Sequence, residues 1–177
     1  MRLRSRSIQL CRQFIPAMKP FPNIGCALAL VLLVTMAACS DQDKTIDIKP
    51  DDVEMNAAIA KARESLPQYW QVFEKRERGE SDFALKVRIT DKSGTEHFWA
   101  NDIERREGSI KGTINNDPDI VARVKLGDRV TIPDADITDW LYMRDGKMVG
   151  NHTLRVLLKK MSSSEAEQYK KMLAEPD

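Results

Sequence analysis

The stretch DFALKVRITDKSGTEHFWA, residues 82–100, changes the period of the chain from helical to extended. Phe83, Leu85, Val87 and Ile89 alternate with Ala84, Lys86, Arg88 and Thr90, the period-two pattern of a half-buried strand. Asp91-Lys92-Ser93-Gly94 carries turn chemistry, and Glu96-His97-Phe98-Trp99-Ala100 resumes as a second strand. Successive side chains of a strand point to opposite faces. His97 and Trp99 therefore share one face, Glu96 and Phe98 the other.

On the N-terminal side the pattern is helical. Met55, Ile59, Ala62, Leu66, Trp70 and Phe73 recur at spacings of three and four, an amphipathic stripe. Asp51-Asp52 suits a helix start. Pro67 disfavours helical geometry at Leu66, and Ser65 with Gln68 has capping-box spacing. The stripe thus reads as two helices, 52–65 and 66–76, or as one kinked helix. On the C-terminal side a third strand spans 109–114 and ends at the loop signal Asn115-Asn116-Asp117-Pro118. Residues 119–125 read as one helical turn, and Val130 and Ile132 as a short strand. Residues 139–143 and 148–149 flank Arg144-Asp145-Gly146-Lys147, a hairpin whose Asp-Gly favours a primed turn. Residues 153–158 read as a last apolar strand, and Ser164 with Glu167 as the capping box of a charged C-terminal helix. The expected fold is α+β: an N-terminal helical segment on a curled antiparallel sheet or small barrel, closed by a short C-terminal helix.

Charge and cysteine are unevenly placed along the 177 residues. Residues 1–38 hold Arg2, Arg4, Arg6, Arg12 and Lys19 and no acid; without them 23 bases face 27 acids, a formal charge of −4 instead of +1. A mildly acidic domain lacks the clustered Lys and Arg that nucleic acid demands. Cys11, Cys26 and Cys39 are the three cysteines, so nothing beyond Cys39 can form an intrachain disulfide. The apolar run Ile24–Ala38 is short for a spanning helix, which needs about 20 apolar residues. With its basic flank it reads as an export signal. It ends in Met36-Ala37-Ala38-Cys39, which resembles a bacterial lipobox, although Met36 stands where Leu is usual. The expected organisation is a signal peptide over 1–38, lipidated (palmitoylated) Cys39, a tether over 39–50, a domain over 51–161 and a C-terminal helix over 162–177. Ordinary cleavage near Ala38 and an uncleaved anchor are the alternatives, and Met18 is an alternative start. Ser40 after the cysteine resembles an outer-membrane sorting signal in a Gram-negative cell, which would place the domain in the cell envelope facing the periplasm.

Chemistry-bearing residues are sparse. His97 and His152 are the histidines, and joining them to Asp139 would make a metal site, but no ligand spacing supports one. A hydrogen-bonded structural histidine beside a core Trp is the simpler reading of His97. A Gly-x-Ser-x-Gly elbow and a phosphate-binding glycine loop are both absent from the sequence. Gly108 and Gly112 read as strand-edge or bulge glycines, and Arg105-Arg106 and Lys159-Lys160 as solvated rims. Trp140 and Tyr142 lie on one strand face; exposed, they would form an aromatic platform, and buried, part of the core.

Several short motifs occur together in one order: Glu96 to Trp99, Gly112 to Pro118 (GTINNDP), Leu126-Gly127-Asp128, Asp139 to Tyr142, and Gly146 to Thr153. Over roughly residues 52–160 this order resembles the YegJ-like family, domain of unknown function 2314. The resemblance implies that the matched polar and aromatic positions form one shared feature; it transfers no catalytic residue and no cofactor. The expected function is a non-catalytic, lipid-anchored domain that binds an envelope protein, peptidoglycan or a small ligand through His97, Trp99, Asp139, Trp140, Tyr142, Asn151 and His152. The alternatives are a hydrolase or transferase using Glu96, His97, Asp139 and His152, and an immunity-type inhibitor with an acidic surface.

Overall fold

The computed structural model describes residues 5–6 and 51–175. Apart from Ser5–Arg6, the signal segment, Cys39 and the tether lie outside the described residues. The order is β1 (Ser5–Arg6), α1 (Val53–Glu64), α2 (Leu66–Lys75), β2 (Glu80–Asp91), β3 (Gly94–Arg106), β4 (Ser109–Ile114), β5 (Arg129–Thr131), β6 (Ile137–Arg144), β7 (Lys147–Gly150), α3 (His152–Leu157) and α4 (Ser163–Met172). The fold is α+β. Six strands pair antiparallel in the order β5-β4-β3-β2-β6-β7, and β1 adds a two-residue parallel pairing to Thr95–Glu96 of β3. Among the described residues no helix is long and apolar enough to cross a membrane.

Local chemistry explains most boundaries. Asp52 caps α1 by accepting from the Met55 N–H at 2.9 Å. The stripe breaks into two helices at Ser65, and Pro67 sits in the first turn of α2, where its missing N–H costs no helical hydrogen bond. Ser65 forms no capping box with Gln68: its hydroxyl turns back to the Lys61 carbonyl at 2.8 Å. The Asp145-Gly146 turn joins β6 to β7 with φ of 50° and 75°, the left-handed pair a primed hairpin turn requires. Gly108 sits in a similar turn at φ 77°, rather than at a bulge. Gly112 lies inside β4, where an added Cβ would come within 2.9–3.0 Å of Ile103, Ala100 and Ile132.

Three expectations are corrected. Residues 153–157 belong to helix α3 and Leu158 to the 3-10 turn that follows it, not to a strand. Asp139 binds the first N–H groups of the segment, which favours a helix start, and Arg155 turns out of the apolar set to the Ala174 carbonyl. The capping box of α4 is Ser162 with Glu165, two residues before the expected pair; Glu167 instead meets Lys170. Residues 119–125 form no helical turn. Five consecutive N–H groups there converge on two carboxylates, Glu96 taking those of residues 119–121 and Asp91 those of 122–123.

The sheet is covered on both faces, so β2 is more than half-buried. One core packs Tyr69, Trp70 and Phe73 of α2 against Phe83, Leu85, Val87, Phe98, Trp140 and Tyr142. The second packs Met55 of α1 and Leu154 and Leu157 of α3 against Ala84, Trp99 and Leu141 on the opposite face. The segment after α4 covers the sheet edge, since Leu173 bridges to Met148 and the Ala174 N–H donates to the Met148 carbonyl at 2.8 Å.

Candidate functional site

Two polar features stand out against this double core. The first is a buried network on the face of Ala84 and Trp99. Lys86 is 1% exposed. Its ammonium donates to Thr153 Oγ1 at 2.7 Å, and that hydroxyl donates to Asp139 Oδ2 at 2.6 Å. The Lys86 Nζ also lies 4.7 Å from the centre of the Trp99 ring, within cation–π range. Asp139 further accepts from the N–H groups of Trp140, His152 and Thr153 at 2.8–3.1 Å. Burial lowers the Lys86 ammonium to about 8, against the opposing pull of Asp139.

His97 borders this network. Its Nδ1 lies 2.9 Å from Thr138 Oγ1, which donates onward to the Lys86 carbonyl, so Nδ1–H is the donor to the hydroxyl. Burial, then the charges of Lys86, Arg88 and Arg63, lower its pKa from 6.5 to about 4. The unfolded chain thus takes up this proton first as pH falls. Stability is complete above about pH 6.5 and is lost as pH falls through 4, a gap worth about 3 kcal/mol. Urea unfolding across that range should show His97→Gln losing less stability on acidification than the wild type; parallel pH profiles would refute this.

The expected site residues separate into distinct surroundings. Glu96 is fully buried on the face away from His97, with its carboxylate held by loop N–H groups. His152 Nε2 lies 3.3 Å from Ser65 Oγ, and Trp140 Nε1 donates to the Ala62 carbonyl at 2.9 Å. Trp140 and Tyr142 are 4% and 3% exposed and stack at 6.1 Å, so the condition for an exposed aromatic platform is not met: the rings fill the first core. Asn151 is a left-handed residue (φ 49°) that opens α3, its amide donating to Met148 Sδ. Among the described residues, no group of three or more His, Cys, Asp or Glu side chains could hold a metal ion.

The second feature is a cleft of about 590 Å³ where β2 and β3 part, a size typical of ligand sites. Their pairing stops at Leu85 and Ala100. Beyond it both strands carry irregular register, between Ser81 and Ala84 and between Asn101 and Glu104. Asp82 and Asp102 hold φ of 53° and 47° there. Bulges of this kind bend a strand and frequently flank functional sites. Apolar surface comes from Phe83, Ala84, Trp99 and Leu141, and polar surface from Asn101 and Asn115. Asn101 Oδ1 is buried with no hydrogen-bond partner among the described residues. Of the expected site residues only Trp99 lines this cleft. Lys86, Thr153 and Asn101 escaped the sequence reading. Lys86 alternates like a solvent-facing residue, and no local pattern marks where two strands separate.

The comparisons with known proteins agree with the sequence motifs. Residues 52–174 match the family model described as "Uncharacterized protein conserved in bacteria (DUF2314)". The chain is 34% identical over 146 residues to the uncharacterized protein YegJ of Escherichia coli K12, covering 82% of this chain and 94% of that one. It is 29% identical over 131 residues to a Neisseria meningitidis serogroup B protein named as a candidate ankyrin repeat protein, covering 69% of this chain and 51% of that protein. No solved structure matches. The chain belongs to the bacterial YegJ-like family, DUF2314.

Proposed function

We propose that the protein is a lipid-anchored domain of the bacterial cell envelope that binds a partner without transforming it. The reading of the anchor rests on the run Ile24–Ala38 followed by Cys39. Acylation there adds about 0.8 kcal/mol per buried methylene, so several chains hold the domain stably at a membrane. In a Gram-negative cell the membrane is the outer one, with the domain facing the periplasm. The partner is an envelope protein, peptidoglycan or a small ligand.

The observation that carries the binding reading is the cleft at the β2–β3 fork, with the buried, unpartnered Oδ1 of Asn101 on its lining. The hydrolase or transferase alternative draws no comparable support. Glu96 and His97 face opposite sides of β3, and the carboxylates of Glu96 and Asp139 already hold their own chain's N–H groups. Intact mass on membrane-extracted protein tests the anchor. The expected mass begins at Cys39 and includes acyl chains, both lost in Cys39→Ala; a soluble wild type without lipid overturns it. For binding, a photo-crosslinking residue at Ser81, exposed on the cleft rim, should give adducts in intact cells that the same residue at exposed Glu107, in the β3–β4 turn, does not. Equal adducts from both positions would defeat the cleft as the binding surface.

A further inference from the structure

We propose that the fork between β2 and β3 receives an extended basic segment of a partner polypeptide, which enters as an additional strand. This rests on the reading of the cleft as a binding site and names its occupant. In the middle of the sheet β2 pairs with β3 on one side and β6 on the other. Past Leu85 and Ala100 that changes. Residues 80–84 pair with β6, and residues 101–106 with β4, while the sides that face each other across the fork carry no strand pairing. The fork therefore presents two opposed strand sides that face each other without strand pairing, each interrupted by one bulge. Strand addition to an open edge is an established mode of peptide recognition. Here the two bulges keep the halves from closing on each other.

Side-chain chemistry selects the occupant. An extended segment sends alternate side chains to opposite faces. Across the fork those faces are apolar on both sides: Phe83 and Ile103 belong to the first core, Ala84, Trp99 and Leu141 to the second. The rim is acidic, with Glu80, Asp82, Asp102 and Glu104 against Arg76. Arg144 binds Glu80 and Arg129 binds Glu104. Asp82 and Asp102 have no ion-pair partner among the described residues, and Asp82 only accepts from Ser81 Oγ. The Asn101 amide supplies a further buried acceptor. A segment with apolar and Lys or Arg residues meets all of these. The chain's own residues 40–50 do not, since Asp41, Asp43 and Asp47 outnumber Lys44 and Lys49.

Hydrogen–deuterium exchange on the full-length protein in detergent micelles tests the proposal, with a short alternating Lys–Val peptide as probe. Its amide exchange should slow by about tenfold or more at residues 80–84 and 101–104 together. A Glu–Val peptide and a Lys–Val peptide methylated at alternate backbone nitrogens should give no such protection. The paired substitutions Asp82→Asn and Asp102→Asn should weaken the Lys–Val peptide about tenfold; Asn tolerates the left-handed backbone at both positions, so folding is retained. Equal protection by the methylated peptide overturns strand insertion while leaving the cleft a binding site. Equal protection by the acidic peptide overturns the charge basis. Protection by none of them overturns the proposal as a whole, and the crosslink from Ser81 then decides separately whether the cleft binds anything.

Discussion

Glu96→Ala is expected to lower the free energy of unfolding by about 3–5 kcal/mol. Glu96 is fully buried and accepts from the N–H groups of Asp119, Ile120 and Val121 at 3.0–3.2 Å. An orphaned buried donor costs about 1–3 kcal/mol, and three donors lose their acceptor together. Part of that is recovered as the exposed Asp119 end of the loop turns to water. The loss does not stop at the loop. Val121 and Val124 belong to the first core, and their position depends on the carboxylate beneath them.

Glu96→Gln separates charge from shape. The amide keeps one acceptor oxygen but turns an NH2 group toward the same N–H donors, so it should cost roughly half as much as alanine, about 2 kcal/mol. Urea denaturation of the two variants beside the wild type reads both values. Equal stability of all three would mean that the loop holds itself, and that the carboxylate only fills space.

The first strand pair was legible because its alternation is regular and its turn chemistry is strong. The same holds for the division of the helical stripe at Pro67 and for the Asp145-Gly146 hairpin. Where long-range contacts decide the structure, the reading failed. Thr153 to Leu157 is mainly apolar around Arg155, and a short run of that kind fits a strand or a buried helix equally; the carboxylate of Asp139, from a neighbouring strand, settles it as a helix. Residues 119–125 lack a helix for the same kind of reason, since Glu96 and Asp91 take N–H groups that a helical turn would leave pointing along its axis. Lys86 looked solvated because it alternates with Leu85 and Val87. The covering elements, α1 and α3, come from sequence far from it on either side. The cleft was invisible for a related reason: a fork is a property of two strands that stop pairing, and each strand alone continues unbroken.

The Lys86–Thr153–Asp139 network predicts an asymmetry. Asp139→Ala should destabilise by about 3–5 kcal/mol, the usual cost of leaving one buried charge without its partner. It removes the acceptor for the N–H groups of His152 and Thr153 and for the Thr153 hydroxyl, and leaves the Lys86 ammonium with the Thr153 hydroxyl and the Trp99 ring but no counter-charge. Lys86→Met should change stability by less than about 1 kcal/mol at pH 7, because Asp139 keeps all its backbone donors and a buried cation is replaced by an apolar side chain of similar length. In the double variant the cost of losing Asp139 should fall, since no ammonium is left stranded; the coupling is read from the four-member cycle. The pH dependence gives an independent check. Lys86 titrates near 8 in the folded protein against 10.5 ordinarily. Between those values the unfolded chain holds the proton that the folded one has released. Stability from this group therefore rises as pH increases through that window, and is lost again as pH falls to 8. Lys86→Met should abolish that rise. Measuring unfolding of the wild type and Lys86→Met between pH 8 and 9.5 keeps below the ordinary range of tyrosine ionisation. If the two profiles run parallel, the ammonium is not held at a cost, and the near-neutral effect expected for Lys86→Met at pH 7 loses its physical basis.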